Sequence, residues 1–165
     1  MEKIEITLTI NDKLREVSVA PNDTLLEVLR EKFDLTGSKE SCGEGVCGSC
    51  TIQMDGKPVR SCLTLALEAN GCSIKTVEGL ANGDQLSDLQ ESFINHGAVQ
   101  CGFCTPGMLI SADALLQNNP KPDEKTVRKT LAGNICRCTG YAKIVDAVCH
   151  TGNPDNQCPD CKTGQ

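Results

Sequence analysis

Twelve of the 165 residues are cysteine, and four of them share a spacing that is typical of iron–sulfur ligands. Three lie in one glycine-rich loop and the fourth follows after eleven intervening residues: Cys42, Cys47, Cys50 and Cys62. A C-x4-C-x2-C run with a distant fourth cysteine is the plant-type pattern of [2Fe–2S] ligation. Four thiolates leave such a cluster negatively charged, so it needs hydrogen-bond donors around it. The loop glycines Gly43, Gly45 and Gly48 let the backbone curl around a cluster and aim its N–H groups at sulfur.

Four more cysteines form a C-x2-C pair and a C-x-C pair later in the chain: Cys101, Cys104, Cys136 and Cys138. They lie at predicted helix ends, and Cys104 opens a helix whose N-terminal amides favour anionic sulfur. This spacing fits a second [2Fe–2S] cluster, although by itself it also suits zinc. In the first group zinc is disfavoured, because zinc sites usually use paired C-x2-4-C knuckles. A Rieske cluster is rejected, since neither His96 nor His150 stands beside the first group of cysteines.

Charge and hydropathy argue against several function classes. The chain has 16 Lys and Arg against 22 Asp and Glu, a formal charge of −6, and no basic run, which disfavours nucleic-acid binding. No apolar stretch reaches the ~20 residues of a membrane span. The first ten residues lack the basic start and apolar run of a secretory signal. We therefore expect a cytoplasmic protein, in which metal ligation explains twelve cysteines better than disulfides do.

Hydrophobic periodicity predicts a small mixed sheet in the N-terminal half. Strands are expected at 4–10 and 14–20, joined by a turn at Asn11-Asp12, and at 51–54, 58–59 and 72–77. Thr24 and Glu27 form a capping box for an amphipathic helix that ends near Asp34. The glycine- and cysteine-rich stretch 37–50 should be irregular.

The C-terminal half is predicted to be helical. The first helix follows a cap at Ser87 or Asp84, and four apolar residues fit one face of it: Leu86, Leu89, Phe93 and Ile94. Further helices are expected over 105–116, from Asp123 to about 132, and over about 141–149. The fold class is therefore α+β, with about four helices forming a bundle after the sheet. We expect a ferredoxin-type domain at 1–78, a helical [2Fe–2S] domain at 79–150 and a polar tail at 151–165.

Three segments together resemble one known family. They are residues 42–51 (CGEGVCGSCT), 97–107 (GAVQCGFCTPG) and 133–141 (GNICRCTGY). They are similar to signatures of the iron–sulfur small subunit of molybdenum hydroxylases, the xanthine dehydrogenase and aldehyde oxidoreductase family. The resemblance covers roughly residues 3 to 149 and includes three motifs in the same order. It implies a plant-type ferredoxin-like (β-grasp) domain followed by a four-helix bundle, with all eight grouped cysteines as ligands of two [2Fe–2S] clusters.

The resemblance also implies partners and an electron path. These small subunits work with a large molybdopterin subunit and usually a medium FAD subunit, and we expect a dimer of such heterotrimers. Substrate is hydroxylated at molybdenum, and single electrons leave through the helical-domain cluster and then the ferredoxin-type cluster to the flavin. Gln100 matches a glutamine that hydrogen-bonds the pterin, and Cys138 matches the ligand nearest it. Since nothing here resembles a flavin or pterin fold, this chain would carry one-electron transfer and no substrate chemistry.

Four cysteines remain outside the two groups: Cys72, Cys149, Cys158 and Cys161. Cys72 is expected to be a small apolar core residue. Cys149, His150 and the Cys158-x2-Cys161 pair offer enough ligands for zinc, but the spacing is poor because Cys149 and His150 are adjacent. An unstructured or partner-docking tail is therefore favoured over a bound metal or a redox-active C-x-x-C pair. At the level of function, two other classes compete with the oxidoreductase subunit. A free ferredoxin is disfavoured by the helical half, and a zinc-stabilised interaction module is excluded if iron and sulfide are found.

Overall fold

The chain folds as a mixed α+β structure, seen in a computed structural model that describes residues 2–152. Its sheet has five strands in the order β2-β1-β5-β3-β4, and only the β1–β5 pair is parallel. The strands are β1 (Ile4–Ile10), β2 (Lys13–Val19), β3 (Thr51–Met54), β4 (Lys57–Arg60) and β5 (Ser73–Lys75). All five predicted strands are present, although the last one ends two residues early, because Val77 begins a 3-10 turn.

The first hairpin follows directly from local sequence. Asn11 and Asp12 adopt left-handed backbone angles, with φ of 47° and 64°, which is the geometry of a tight two-residue hairpin turn. That turn sets the register that pairs Ile6 with Val17 and Ile4 with Val19. Ile6, Leu8 and Ile10 of the first strand are buried on one face, as their alternation predicts.

The predicted capping box starts the helix of the sheet half. The Thr24 hydroxyl accepts the backbone N–H of Glu27 at 3.2 Å, and the Glu27 carboxylate accepts the backbone N–H of Thr24 at 2.8 Å. Only Leu25–Glu27 (α1) has α geometry, and the chain continues as a wider π-type turn over Val28–Lys32. The helix propensities of these residues do not predict the wider turn. It begins within a stretch of four buried apolar residues, Leu25, Leu26, Val28 and Leu29.

The second half contributes four helices, α2 (Asp88–Asn95), α3 (Thr105–Asn118), α4 (Glu124–Leu131) and α5 (Ala142–Gly152). Of the two candidate caps for α2, Ser87 is the one used, and Asp123 caps α4 by accepting the N–H of Thr126 at 2.9 Å.

The predicted apolar face of α2 is wrong for two of its four residues. Leu89 and Phe93 are buried as expected, whereas Leu86 precedes the helix and is exposed, and Ile94 is 62% exposed. Leu89 and Phe93 are four residues apart and share a face. Ile94 is five residues from Leu89, so the helical rotation turns it toward solvent.

Each half has its own apolar core, and polar contacts join the halves. Leu8 and Ile52 lie in the core under the sheet, while Phe93 and Ile144 lie in the core between the helices. At the junction, the buried Gln53 of β3 donates its side-chain N–H to Asp113 of α3 at 2.7 Å and to the backbone carbonyl of Ile110 at 3.3 Å. This junction brings the loop before β3 against the start of α3.

Across residues 2–152, none of the helices has both the length and the hydropathy that crossing a membrane requires.

Candidate iron–sulfur centres

The first cysteine loop is irregular, as predicted, and its backbone is shaped by glycine. Gly43, Gly45 and Gly48 all have positive φ, at 65°, 74° and 74°. The curled loop directs the backbone N–H groups of Glu44 and Cys47 at the Cys42 sulfur, both at 3.4 Å. These donors, that of Cys47 foremost, outweigh the opposing effect of burial and lower the pKa of the Cys42 thiol to about 6. The loop therefore stabilises negative charge on sulfur before any metal is considered.

The four thiols of the first group come together as two pairs. The Cys50 and Cys62 sulfurs are 3.2 Å apart, and the Cys47 thiol lies near enough to that of Cys42 to help lower its pKa. Burial and the neighbouring Cys50 raise the pKa of Cys62 to about 11, with the Gly45 amide acting in the opposite direction. A raised pKa beside another thiol reflects the cost of placing two thiolates side by side, which a bound cation would remove.

The second group shows the same arrangement at the edge of the helical half. The Cys101 and Cys138 sulfurs are 3.7 Å apart, and Cys136 lies near enough to Cys104 to raise its pKa. Cys104 occupies the cap position of α3, as predicted, but burial and the Cys136 thiol raise its pKa to about 12. Burial also raises the pKa of Cys136, yet the hydroxyl and amide of Thr139 outweigh it and lower that pKa overall.

Two pairs of thiols fit a binuclear cluster better than a single ion. Each iron of a [2Fe–2S] cluster takes two protein thiolates, so each group supplies one pair per iron. A structural zinc instead needs four ligands around one point. The paired geometry and the surrounding N–H donors therefore suit [2Fe–2S] clusters in both places.

The two cysteine loops touch each other directly. The backbone N–H of Ile135 donates to the carbonyl of Cys47 at 2.8 Å. Beside it, the side-chain N–H of the buried Asn134 donates to the carbonyl of Gly48 at 2.9 Å, and its oxygen accepts the Ser111 hydroxyl at 2.8 Å. The first cysteine loop thus accepts a hydrogen bond from the residue that precedes Cys136 in the second. Sequence analysis missed Asn134, although its place beside Cys136 in the GNICRC motif was the available signal.

Arg60 is a second residue that sequence analysis missed. Its guanidinium donates to three acceptors, namely the carbonyl of Gly45 at 3.3 Å, the hydroxyl of Thr51 at 2.7 Å and the carbonyl of Gly133 at 2.6 Å. These acceptors belong to the first cysteine loop, to β3 and to the second cysteine loop. The fixed fork of a guanidinium can serve all three at once, whereas an ammonium group cannot.

Replacing Arg60 with methionine is expected to lower the free energy of unfolding by about 3 kcal/mol, because three acceptors lose a charged donor. Arg60→Lys should recover less than half of that loss, since it keeps the charge without the fork. The matched control is Arg128→Met, which removes an exposed arginine paired with Glu124 on one helix and should cost about 0.5 kcal/mol. Denaturant unfolding of the iron-loaded protein measures all three. Equal losses of unfolding free energy in the Arg60 and Arg128 variants would contradict the role of Arg60 in holding these three segments together.

Exposed apolar side chains flank both groups of thiols. Beside the second group, Val99, Phe103 and Ile135 are 41%, 45% and 50% exposed, and Gln100, Cys101 and Cys138 are also exposed. Beside the first group, Val46 and Leu63 are each 60% exposed. Large apolar residues that stay in solvent next to a functional site are typical of surfaces that partner chains cover.

The leftover cysteines behave differently from the expectations. Cys72 is half-buried at the edge of the sheet core rather than inside it, with its sulfur near the Glu68 carbonyl. Cys149 is only 2% exposed within the helical core, while the next residue, His150, is exposed. Adjacent residues in such different surroundings do not face one metal, which argues against the alternative in which Cys149 and His150 share a zinc ion. Cys158 and Cys161 lie outside the described residues.

Comparison with known families gives two matches along the chain. Residues 8–75 match the 2Fe-2S iron-sulfur cluster binding domain, and residues 76–149 match the [2Fe-2S] binding domain. Together the two matches span nearly all of the described chain, and each contains one group of four cysteines.

Individual proteins are similar over almost their whole length. The small subunit of nicotine 6-hydroxylase from Paenarthrobacter nicotinovorans is 53% identical over 147 residues, covering 89% of this chain and 88% of the relative. The nicotinate dehydrogenase small FeS subunit from Eubacterium barkeri is 49% identical, with coverage of 90% and 94%. Among solved structures, quinoline 2-oxidoreductase from Pseudomonas putida 86 superposes with a TM-score of 0.89 at 53% identity, covering 92% of this chain and 94% of that one.

Two [2Fe–2S]-binding domains in one chain define an electron-transfer protein. The chain belongs to the iron–sulfur small subunits of the molybdenum hydroxylases, the xanthine dehydrogenase and aldehyde oxidoreductase family.

Proposed function

We propose that this chain relays single electrons within a molybdenum hydroxylase, from a molybdopterin centre on a large subunit to FAD on a medium subunit. The electrons would pass the helical-half site first and the ferredoxin-type site second. The observation that carries the proposal is the hydrogen bond from the Ile135 amide to the Cys47 carbonyl, which joins the two ligand loops at 2.8 Å. A free ferredoxin needs no second thiol site in contact with its first.

Eight cysteines would hold the two clusters, with each thiol pair on one iron. Cys42 with Cys47 and Cys50 with Cys62 would serve the first cluster. Cys101 with Cys138 and Cys104 with Cys136 would serve the second. When bound, the clusters supply one-electron redox chemistry. The protein's contribution is to supply N–H donors such as those of Glu44 and Cys47, which stabilise negative charge on sulfur and tune the site.

The proposal assigns a different partner to each exposed surface. Gln100 and Cys138 are exposed beside Phe103 and Ile135, so we assign this surface to the molybdopterin subunit, with Gln100 donating to or accepting from the pterin. The exposed Val46 and Leu63 beside the first site are assigned to the FAD subunit. Electrons would then enter and leave at different surfaces, with the loop contact between them.

We also propose the finer architecture. It comprises a ferredoxin-like β-grasp domain at about residues 1–78 and a four-helix bundle domain at about 79–150. Supporting it, the sheet core and the helical core are separate sets of side chains. A dimer of heterotrimers in the cytoplasm is the proposed assembly and location.

The test is to purify the chain with its partners and measure iron, acid-labile sulfide and the reduced-state electron paramagnetic resonance spectrum. We expect about four irons and four sulfides per chain, two distinct rhombic signals, and co-purifying molybdenum and flavin. About two irons with zinc would reduce the helical cysteines to a structural site. Full cluster content in a chain that purifies alone as a stable monomer would favour a free carrier instead.

For the substrate of the whole complex, we propose a nitrogen heteroaromatic compound. Two relatives and one solved structure, at 49–53% identity, are named for nicotine, nicotinate and quinoline. The purified complex should reduce an electron-accepting dye with such a ring compound. Activity confined to aldehydes would overturn this assignment while leaving the relay role intact.

A further inference from the structure

A side-chain hydroxyl lies against one ligand sulfur of the second group. The Thr139 hydroxyl is 3.1 Å from the Cys136 sulfur, and the Thr139 backbone N–H reaches the same sulfur at 3.5 Å. At the first group, the donors to the Cys42 sulfur are the backbone N–H groups of Glu44 and Cys47. Backbone donors stay in place when a side chain is replaced. The Thr139 hydroxyl is therefore a donor that a single substitution removes while the loop keeps its backbone donor.

The neighbouring hydrogen bonds direct the hydroxyl proton at the sulfur. The Tyr141 backbone N–H donates to the Thr139 side-chain oxygen at 3.2 Å and so occupies one of its lone pairs. A metal-bound cysteine is a thiolate, which can only accept a hydrogen bond. In the pair with Cys136 the hydroxyl is therefore the donor, and its single proton goes to sulfur.

Tyr141 holds the backbone of the same ligand residue. Its φ of 69° is a left-handed conformation that is uncommon for a residue other than glycine. Its phenol hydroxyl accepts the backbone N–H of Cys136 at 2.9 Å and donates to the Asn134 carbonyl at 3.1 Å. Because Tyr141 fixes the backbone at Cys136, removal of the Thr139 hydroxyl alone should leave the ligand in position.

The Thr139 hydroxyl favours negative charge on the Cys136 sulfur. Burial raises the pKa of Cys136, but the hydroxyl and N–H of Thr139 outweigh burial and lower that pKa overall. Reduction of a [2Fe–2S] cluster adds one electron, and hydrogen bonds to the ligand sulfurs are among the factors that set its reduction potential. A donor that stabilises the thiolate therefore stabilises the reduced cluster, which is the more negative form.

We propose that Thr139 is a positioning residue whose hydroxyl, acting through the Cys136 sulfur, raises the reduction potential of the helical-half cluster relative to the ferredoxin-type cluster. The inference rests on the proposed relay function, because it needs a [2Fe–2S] cluster at each site. The step it governs is the transfer of one electron, in which one cluster is oxidised and the other reduced. No covalent bond breaks, and the hydroxyl keeps its proton. Since the helical-half cluster is proposed to receive electrons from the molybdopterin centre, the hydroxyl favours that uptake.

The test is a redox titration of the purified, iron-loaded complex, in which both reduced-state paramagnetic resonance signals are followed against potential. Cys104→Ser identifies the signal of the helical-half cluster. Thr139→Val removes the hydroxyl but keeps the branched shape and the backbone N–H. At a fixed potential we expect its helical-half cluster to have about a tenfold lower ratio of reduced to oxidised form, which equals about 59 mV for one electron. The midpoint of the other signal should not change.

Two further variants are controls. Thr139→Ser keeps a hydroxyl and should restore the native midpoint. Thr151→Val removes a threonine hydroxyl that donates to the Ala147 carbonyl at 2.9 Å within α5, and it should leave both midpoints unchanged. An unchanged helical-half midpoint in Thr139→Val would overturn the proposal. So would an equal shift of both midpoints, or the same shift in Thr139→Ser.

A measurement on the unaltered protein covers the case in which Thr139→Val fails to bind iron. Electron–nuclear double resonance on the helical-half signal should show a coupled proton that is lost quickly in D2O, because hydroxyl protons exchange faster than hydrogen-bonded amide protons. Absence of that coupling would overturn the proposal. Failure of the relay itself gives a different result, since about two irons per chain or a single reduced-state signal in the unaltered protein would remove the second cluster.

Discussion

Replacing Cys47 with serine is expected to abolish or shift one of the two reduced-state paramagnetic resonance signals and leave the other unchanged. The side chain belongs to the first group of thiols, while the contact with the second loop uses the Cys47 backbone carbonyl, which serine keeps. Iron should fall from about four toward about two per chain if serine fails to hold the cluster. Where serine binds through oxygen, the harder ligand should shift the signal instead. Spectroscopy and iron analysis of the same preparation measure both outcomes.

The matched variant in the second group of thiols is Cys104→Ser, which should affect only the paramagnetic resonance signal that Cys47→Ser leaves unchanged. Cys104 is half-buried next to Cys136 at the start of α3, so its loss breaks a thiol pair of the helical half alone. Cys72→Ser, at the edge of the sheet core, should leave both signals in place. If either ligand variant removed both signals while the protein remained folded, the two sites would not be independent.

The features that the sequence could predict are those formed by residues close together in the chain. The capping box at Thr24, the hairpin turn at Asn11-Asp12 and the irregular cysteine loop each depend on a few neighbouring residues, and all are present. Ser87, one of two candidate caps for α2, is also the cap used. The spacing of the thiols within each cysteine loop is also a local property. Which thiols pair with each other inside a group required the folded chain.

What the sequence could not predict depends on residues that are far apart in the chain. Arg60 reaches Gly133 across 73 positions, and Asn134 reaches Gly48 across 86. In the sequence, nothing distinguishes these two side chains from other polar residues, because their partners lie in the other half of the chain. The same holds for Gln53, whose polar side chain interrupts an apolar strand and is buried where Asp113 and the Ile110 carbonyl accept its N–H groups. Long-range polar contacts of this kind position the two sites relative to each other, and hydrophobic periodicity along the sequence does not predict them.

The close approach of the two halves at Gly48 supports the prediction with the largest effect on stability. A Cβ at Gly48 would lie 2.4 Å from the Gly133 carbonyl and 2.7 Å from the Asn134 side-chain nitrogen, and its φ of 74° already disfavours a side chain. Gly48→Ala should therefore combine backbone strain with a steric clash and lower the free energy of unfolding by at least about 3 kcal/mol. Denaturant unfolding of the iron-loaded protein, with iron content followed in parallel, measures the effect.

Alanine substitutions at two other glycines measure the backbone strain and the steric clash separately. Gly43 has a similar φ of 65° but nothing within 4 Å of its missing Cβ, so Gly43→Ala should cost about 1 kcal/mol from strain alone. Gly107 has ordinary helical geometry, yet its Cβ would lie 2.3 Å from the Gly48 carbonyl. Alanine in place of a helical glycine normally stabilises by about 1 kcal/mol, so a loss of stability in Gly107→Ala reverses the usual sign and reports the clash alone. If Gly107→Ala were stabilising, or if Gly48→Ala cost no more than Gly43→Ala, the two cysteine loops would not be as tightly packed as the contact between Gly48 and Gly133 requires.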